Sequence, residues 1–240
     1  MLRRIAAMFL VVAGLAAGTA YASETAIRQG FQSRFPNATV ESVTRTPFAG
    51  IYEVVFNGQI AYTDEKLNFV FFGNLIDVRS GSEQRNLTRE RSTQLASQSL
   101  RKSSDNAIKR VRGNGKRVLY TFEDPNCGFC RELQKEVMKL TDVTVYTFLW
   151  PILSPDSEEK SRAVWCSKDR AKAWDDLMSR GVVPQNSAKC DAPIEKNKEL
   201  AQRFGIRGTP AIFLADGRQV GAGYVPAAEL EQALNSVAAK

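Results

Sequence analysis

Histidine is absent from all 240 residues. That removes Ser-His and Cys-His triads, HExxH zinc hydrolases and haem attachment through CxxCH, because each needs an imidazole. Beyond the N-terminal stretch there is no apolar run long enough to cross a bilayer as a helix. No aromatic-and-basic motif of the nucleic-acid-binding kind is present, and the formal net charge is only +7. A mildly basic balance of this size serves solubility, and no nucleic-acid partner is expected. Cysteine is scarce: Cys127, Cys130, Cys166 and Cys190 are the four in the chain.

The N-terminus accounts for the one apolar run. Arg3 and Arg4 form a positive region, Ile5 to Gly18 an apolar core too short for a typical span, and Ala20-Tyr21-Ala22 a small-x-small cleavage site. Residues 1–22 therefore read as a secretory signal peptide, with an uncleaved anchor as the alternative. Cleavage before Ser23 removes Arg3 and Arg4 and lowers the net charge to +5. Export leads to an oxidising compartment, where cysteine pairs persist as disulfides. An even number of cysteines suits two intramolecular bonds.

The two pairs differ in kind. Cys127-Gly128-Phe129-Cys130 follows the apolar run Val118 to Phe122 and precedes a helical pattern, Arg131 to Leu140. Thiols three residues apart at a helix start share one face and can bridge. The helix N-terminus favours thiolate at Cys127, the first of the two. Cys127 is thus the candidate exposed nucleophile, and Cys130, one turn inside, the candidate resolving thiol. A static bridge and half of a zinc site are the bland alternatives. Cys166 and Cys190 lie 24 residues apart with no catalytic pattern, Cys190 in a polar loop. They read as a structural disulfide, a closure worth ~3.5 kcal/mol in the chain-entropy model, with a second redox-active pair as the alternative. No metal and no cofactor are expected.

Along the chain, residues 24–35 predict a helix with Ile27, Phe31 and Phe35 on one face. Thr39 to Val43 predicts a strand. Asn57-Gly58, between Ile51–Phe56 and Gln59–Tyr62, predicts a hairpin, and Gly73-Asn74, between Leu67–Phe72 and Leu75–Val78, a second. A module of this size has a marginal core and edge strands, which calls for a partner. Thr88 to Arg110 lacks Gly and Pro and is strongly polar, predicting a solvated connecting helix, with disorder as the competing reading. Strands and helices then alternate: strands at 118–122 and 143–149, helix at 127–140, mainly helix at 156–181, a short helix at 194–204, strands at 211–214 and 219–222 around Asp216-Gly217, and a closing helix at 226–237.

The C-terminal part resembles thioredoxins: CxxC after an apolar strand, and Gly208-Thr209-Pro210 before a late strand. Cys-Gly-Phe-Cys and Thr209 are similar to the DsbC/DsbG family of bacterial disulfide isomerases rather than to the oxidant DsbA, which carries a histidine between its cysteines. Gly73 to Val78 with Asn86-Leu87-Thr88 resembles the end of that family's dimerisation module, and Ala163 to Asp169 its helical insertion. The resemblance implies an α+β protein with a signal peptide (1–22), a small antiparallel, cystatin-like dimerisation domain (23–86), a linker helix (87–112) and a thioredoxin-like α/β domain with a helical insertion (113–240).

It further implies a cis bond at Thr209-Pro210 facing the CxxC, substrate contacts at Thr209, Pro210 and Phe129, and a periplasmic homodimer with two catalytic domains facing a shared cleft. Misfolded disulfide-containing proteins are the implied substrates and a DsbD-type membrane reductant the implied redox partner. The implied activity is disulfide isomerisation and reduction, with chaperone activity; a DsbG-like reductase of oxidised single cysteines and a non-enzymatic holdase remain the other readings. Two departures stand out. Phe129 occupies a position where the family has tyrosine, and Thr121 a position where thioredoxins keep a buried acid. Glu123 and Asp124 lie nearby and receive no proton-transfer role from the sequence.

Overall fold

The computed structural model describes residues 23–79, 81, 83–221 and 223–238. The expected signal peptide and the last residue of the strand expected at 219–222 lie outside them. The chain divides into two units between Glu90 and Arg91.

In the first unit, helix α1 (23–34) packs on a four-stranded antiparallel sheet. Its strands are β1 (Val40–Arg45), β2 (Tyr52–Phe56), β3 (Gln59–Thr63) and β4 (Val70–Phe71), in the order β1-β2-β3-β4. Ile27 and Phe31, one helical turn apart, are fully buried against Val43, Val54, Phe56 and Ala61. Phe35, expected on the same face, is exposed at the helix end. Asn57 and Gly58 form the predicted hairpin: both have positive φ (48° and 75°), and Phe56 pairs with Gln59.

The second predicted hairpin does not form. β5 (Ile76–Asp77) pairs instead with β6 (Arg85–Asn86). A two-residue turn of this kind needs positive φ, and neither Gly73 nor Asn74 is among the described residues that have it. The backbone of Leu75 is already committed: its N–H donates to Thr88 Oγ1 (2.8 Å) and its carbonyl accepts from Leu87 N–H (2.9 Å).

The polar stretch after this is helical only as far as Lys102, as α2 (Leu87–Lys102). A 3₁₀ turn follows at Ser104–Asn106, and Ile108–Arg112 is a strand, β7. The linker helix expected over 87–112 is therefore ten residues too long. The segment hides a period-2 pattern: Ile108 and Arg110 are buried while Lys109 and Val111 are exposed. A buried arginine made it read as solvated surface.

The second unit is built on the sheet β10-β8-β9-β7, with β8 at Arg117–Glu123, β9 at Val143–Leu149 and β10 at Ala211–Leu214. β8 and β9 are parallel, joined through α3 (Gly128–Val137); β7 and β10 run antiparallel to their neighbours. A parallel pair covered on both faces reads as nearly continuous apolar sequence, as 118–122 and 143–149 do. On one face Leu119 and Val145 pack with Leu133 and Val137 of α3 and with Leu230 and Leu234 of α7 (Ala227–Ala238). On the other, Tyr120, Phe122 and Phe148 pack with Leu100 of α2 and Leu200 of α6 (Ile194–Arg203).

The helical stretch at 156–181 is two helices, α4 (Pro155–Trp165) and α5 (Arg170–Arg180), broken at 166–169 where Asp169 caps α5. The strand expected at 219–222 contributes one bridge, Phe213 with Gln219, and a bond from Val220 N–H to Ile212 O (2.8 Å).

Within this unit α2 lies hard against the turn at Asp216-Gly217. Ser97 Oγ donates to Ala215 O at 2.6 Å. Gly217 has φ +89°, and a Cβ there would fall 2.0 Å from the carbonyl oxygen of Thr93. Gly217→Ala should therefore lower the unfolding free energy by about 2 kcal/mol through overpacking and a strained φ. Urea unfolding of the full chain checks it, and an unchanged midpoint would show that α2 does not seat on this turn.

Candidate active site

β8 ends at Glu123, whose carbonyl accepts from Trp150 N–H (2.8 Å). Asp124-Pro125-Asn126 then turns the chain into α3. Cys127 is the N-cap of that helix, with extended backbone (φ −75°, ψ 119°), and its Sγ accepts from Cys130 N–H at 3.2 Å. An N-cap is ordinarily Ser, Thr, Asp or Asn, because a side-chain acceptor must take one of the unpaired helix N–H groups. Here sulfur does so, and that places it at the positive end of the helix.

The thiol is not exposed, as the sequence led one to expect. Cys127 retains 5% of its accessible surface, and Cys130 none. Folding back as a cap draws Sγ inward, where it donates to the Thr209 carbonyl at 3.4 Å. Phe129, between the cysteines, is 67% exposed. The Thr209-Pro210 bond is cis, Pro210 is buried, and Ala211 begins β10 immediately after. The structure thus brings Cys127, Cys130, Thr209 and Pro210 together, with Phe129 at the surface of the same turn.

The two thiols are polarised in opposite senses. The Cys127 pKa falls from 9.0 to about 6. The Cys130 thiol directed at its sulfur is the largest cause; the Thr209 side chain and the N–H groups of Cys130 and Phe129 add to it, against the effect of burial. The Cys130 pKa is pushed up, chiefly by burial, then by its bond to Cys127 and the nearby Glu123 carboxyl. Cys127 is the sulfur that ionises, and Cys130 the one that keeps its proton.

Cys166 and Cys190 lie elsewhere. They are bonded to each other (S–S 2.03 Å), and join the end of α4 to the loop before α6. Trp165 Nε1 donates to Asp191 O (3.1 Å) beside the bridge.

Two buried carboxyls were not assigned from sequence. Glu123 and Asp124 are both without solvent contact. Glu123 accepts from Thr121 Oγ1 (2.7 Å) and from Gln134 Nε2 (3.0 and 2.9 Å). Gln134 Oε1 accepts in turn from Arg110, which also donates to Thr147 Oγ1 (2.9 Å) and pairs with Asp175 of α5 (2.9 Å). Burial raises the Glu123 pKa, opposed first by the Arg110 charge. Gln134 is one turn below Cys130 on α3, so this network lies beneath the dithiol. The usable sequence signal was strand alternation: Thr121 and Glu123 share one face of β8, which moves the buried acid two residues toward the cysteines.

The matches to known proteins cover both units. The model of the thioredoxin-like domain matches residues 104–238, and that of the disulfide bond isomerase N-terminal domain residues 18–89. The probable thiol:disulfide interchange protein DsbC of Bordetella parapertussis is 45% identical over 210 residues, 87% of this chain and 73% of the relative. The thiol:disulfide interchange protein DsbC of Escherichia coli K12 is 30% identical over 223 residues, 91% and 90% of the two chains. Among solved structures, a disulfide interchange protein from Neisseria gonorrhoeae superposes with a TM-score of 0.53 at 45% identity, over 56% of this chain and 96% of that one. With both domain models matched in order and the relatives aligned over most of its length, the chain belongs to the DsbC family of thiol:disulfide interchange proteins.

Proposed function

We propose that this chain is a periplasmic protein-disulfide isomerase and reductase working through the dithiol of Cys127 and Cys130, with chaperone activity toward misfolded disulfide-containing proteins. The observation that carries the reading is the placement of the two thiols, Cys127 Sγ as the N-cap of α3 and Cys130 fully buried one turn inside, with the Cys127 pKa lowered to about 6 and that of Cys130 raised. At neutral pH Cys127 is thiolate. It attacks one sulfur of a substrate disulfide, forming a mixed disulfide and releasing the other sulfur as thiolate. If a second substrate thiolate then attacks the mixed disulfide, the substrate leaves with a new pairing and Cys127 is regenerated. If Cys130 loses its proton and attacks Cys127 Sγ first, the substrate leaves reduced and the Cys127–Cys130 disulfide forms. The high pKa of Cys130 slows this escape and leaves time for isomerisation. Thr209 and Pro210 border Cys127 on the side where an extended substrate segment would pair with backbone. The oxidised dithiol is returned to use by a membrane reductant of the DsbD type.

The first unit supplies the dimer. β4 is an edge strand of its sheet, and Phe69, Phe71 and Phe72 around it are exposed. Unpaired edges flanked by exposed aromatics are the usual means of pairing with a second copy.

Three outcomes are expected. Reactivation of scrambled ribonuclease should be catalysed by the wild type and abolished in Cys127→Ser; suppression of aggregation by both proteins without any reactivation would favour a holdase instead. The rate of iodoacetamide alkylation of the reduced protein should rise about tenfold per unit up to a midpoint near pH 6 and level off above it. A midpoint near 8.5, that of an ordinary thiol, would remove the lowering at Cys127. Light scattering at micromolar concentration should give the mass of two chains, and the mass of one would sink the dimer.

A further inference from the structure

Asp124 is fully buried, and thiol exchange makes no direct use of its carboxylate. Its Oδ1 accepts from Asn126 N–H (2.7 Å) and Ser157 Oγ (2.8 Å). Its Oδ2 accepts from the N–H groups of Ile152 (2.7 Å) and Leu153 (3.0 Å). Its carbonyl accepts from Cys127 N–H (3.0 Å). A buried carboxylate is costly unless donors fill its lone pairs, and four fill these. One side chain therefore ties the turn that delivers Cys127 to the segment between β9 and α4. Asn126 adds to the tie: its Nδ2 reaches Ser154 Oγ (3.0 Å) and Asp156 Oδ2 (2.9 Å).

What the clamp holds is apolar and open to solvent. Ile152 and Leu153 are 42% and 55% exposed although their backbone is fixed by Asp124. Phe129 stands out from the first turn of α3 beyond Cys127. Single exposed apolar residues are ordinary on a surface. Here two of them are tied through Asp124 to the turn that delivers Cys127, and the third follows Cys127 by two residues.

We propose that Asp124 is a positioning residue that holds Ile152 and Leu153, with Phe129, as an apolar subsite beside Cys127, and that this subsite takes the aliphatic or aromatic side chain next to the half-cystine of an extended substrate. The inference rests on the thiol-exchange reading and gives it a substrate preference. Such a preference suits an enzyme for misfolded chains, in which cysteines that belong in a core carry apolar neighbours.

The test uses pre-reduced full-length protein in single turnover with two peptide disulfides that differ only in having Leu or Ser beside each cysteine. Each turnover consumes one protein dithiol, forms the Cys127–Cys130 disulfide and releases two peptide thiols. The wild type should react about tenfold faster with the Leu peptide at sub-saturating concentration, the discrimination typical of one apolar side chain. Ile152→Ser with Leu153→Ser, at exposed positions that leave the fold intact, should abolish that preference through a higher half-saturation concentration for the Leu peptide. It should leave the Ser-peptide rate and the iodoacetamide rate within twofold of wild type. Asp124→Asn, which sets an amide among the N–H donors, should lose the same preference. A double variant that keeps the preference, or a wild type that reduces both peptides equally, would overturn the subsite alone. A wild type that reduces neither peptide would overturn the thiol-exchange reading and the subsite with it.

Discussion

The chemistry of this protein depends on the hydrogen bonding of Cys130 to the sulfur of Cys127, at which the Cys130 thiol is directed and to which its backbone N–H donates. It makes a cysteine side chain the N-cap of α3. The positive end of the helix then acts on a group that can ionise rather than on a neutral hydroxyl. The same bonding fixes the second sulfur one turn inside, where burial keeps it protonated. Equal sequence chemistry at two cysteines thus becomes unequal reactivity through three residues of helix.

The surrounding structure holds that cap in place from three directions. The parallel pair β8 and β9 delivers the turn before Cys127, and Asp124 fixes this turn to the chain leaving β9. Thr209, just before β10, sets its carbonyl against the sulfur from the far side. Beneath, Glu123, Gln134, Thr121, Thr147 and Arg110 form a buried polar network in which charge opposes charge. Buried networks of this kind tolerate little change, because each member satisfies its neighbour. The Arg110 charge also reaches Asp175 on the inserted helix α5, so the insertion is bonded to the layer under the dithiol.

Much of this could be read from residue order. The strand before CxxC, the helix after it and the Asn-Gly hairpin follow from patterns that local geometry dictates, whereas the cis Thr209-Pro210 bond was implied by the resemblance to thioredoxins; the structure contains all four. The failures are as physical. Gly73-Asn74 has the composition of a tight turn, but Leu75 bonds to the start of α2 instead. Ile108–Arg112 was hidden because Arg110 is a buried cation, and a pattern reading assigns such a residue to solvent. Cys127 reads as an exposed nucleophile from its place at a helix end, whereas capping turns its sulfur inward. Glu123 and Asp124 are adjacent in sequence but point to opposite tasks, one under the helix and one into the loop. Only the hydrogen-bond partners separate them.

The central claim is that one sulfur of the reduced pair is ionised at neutral pH while its neighbour is not. A titration of the reduced protein with both cysteines labelled at carbon, followed by the Cβ resonances, measures the two sites separately. The account predicts that Cys127 titrates near pH 6 and that Cys130 titrates only above the range of an ordinary thiol. Two cysteines titrating together near the value of a free thiol would contradict it.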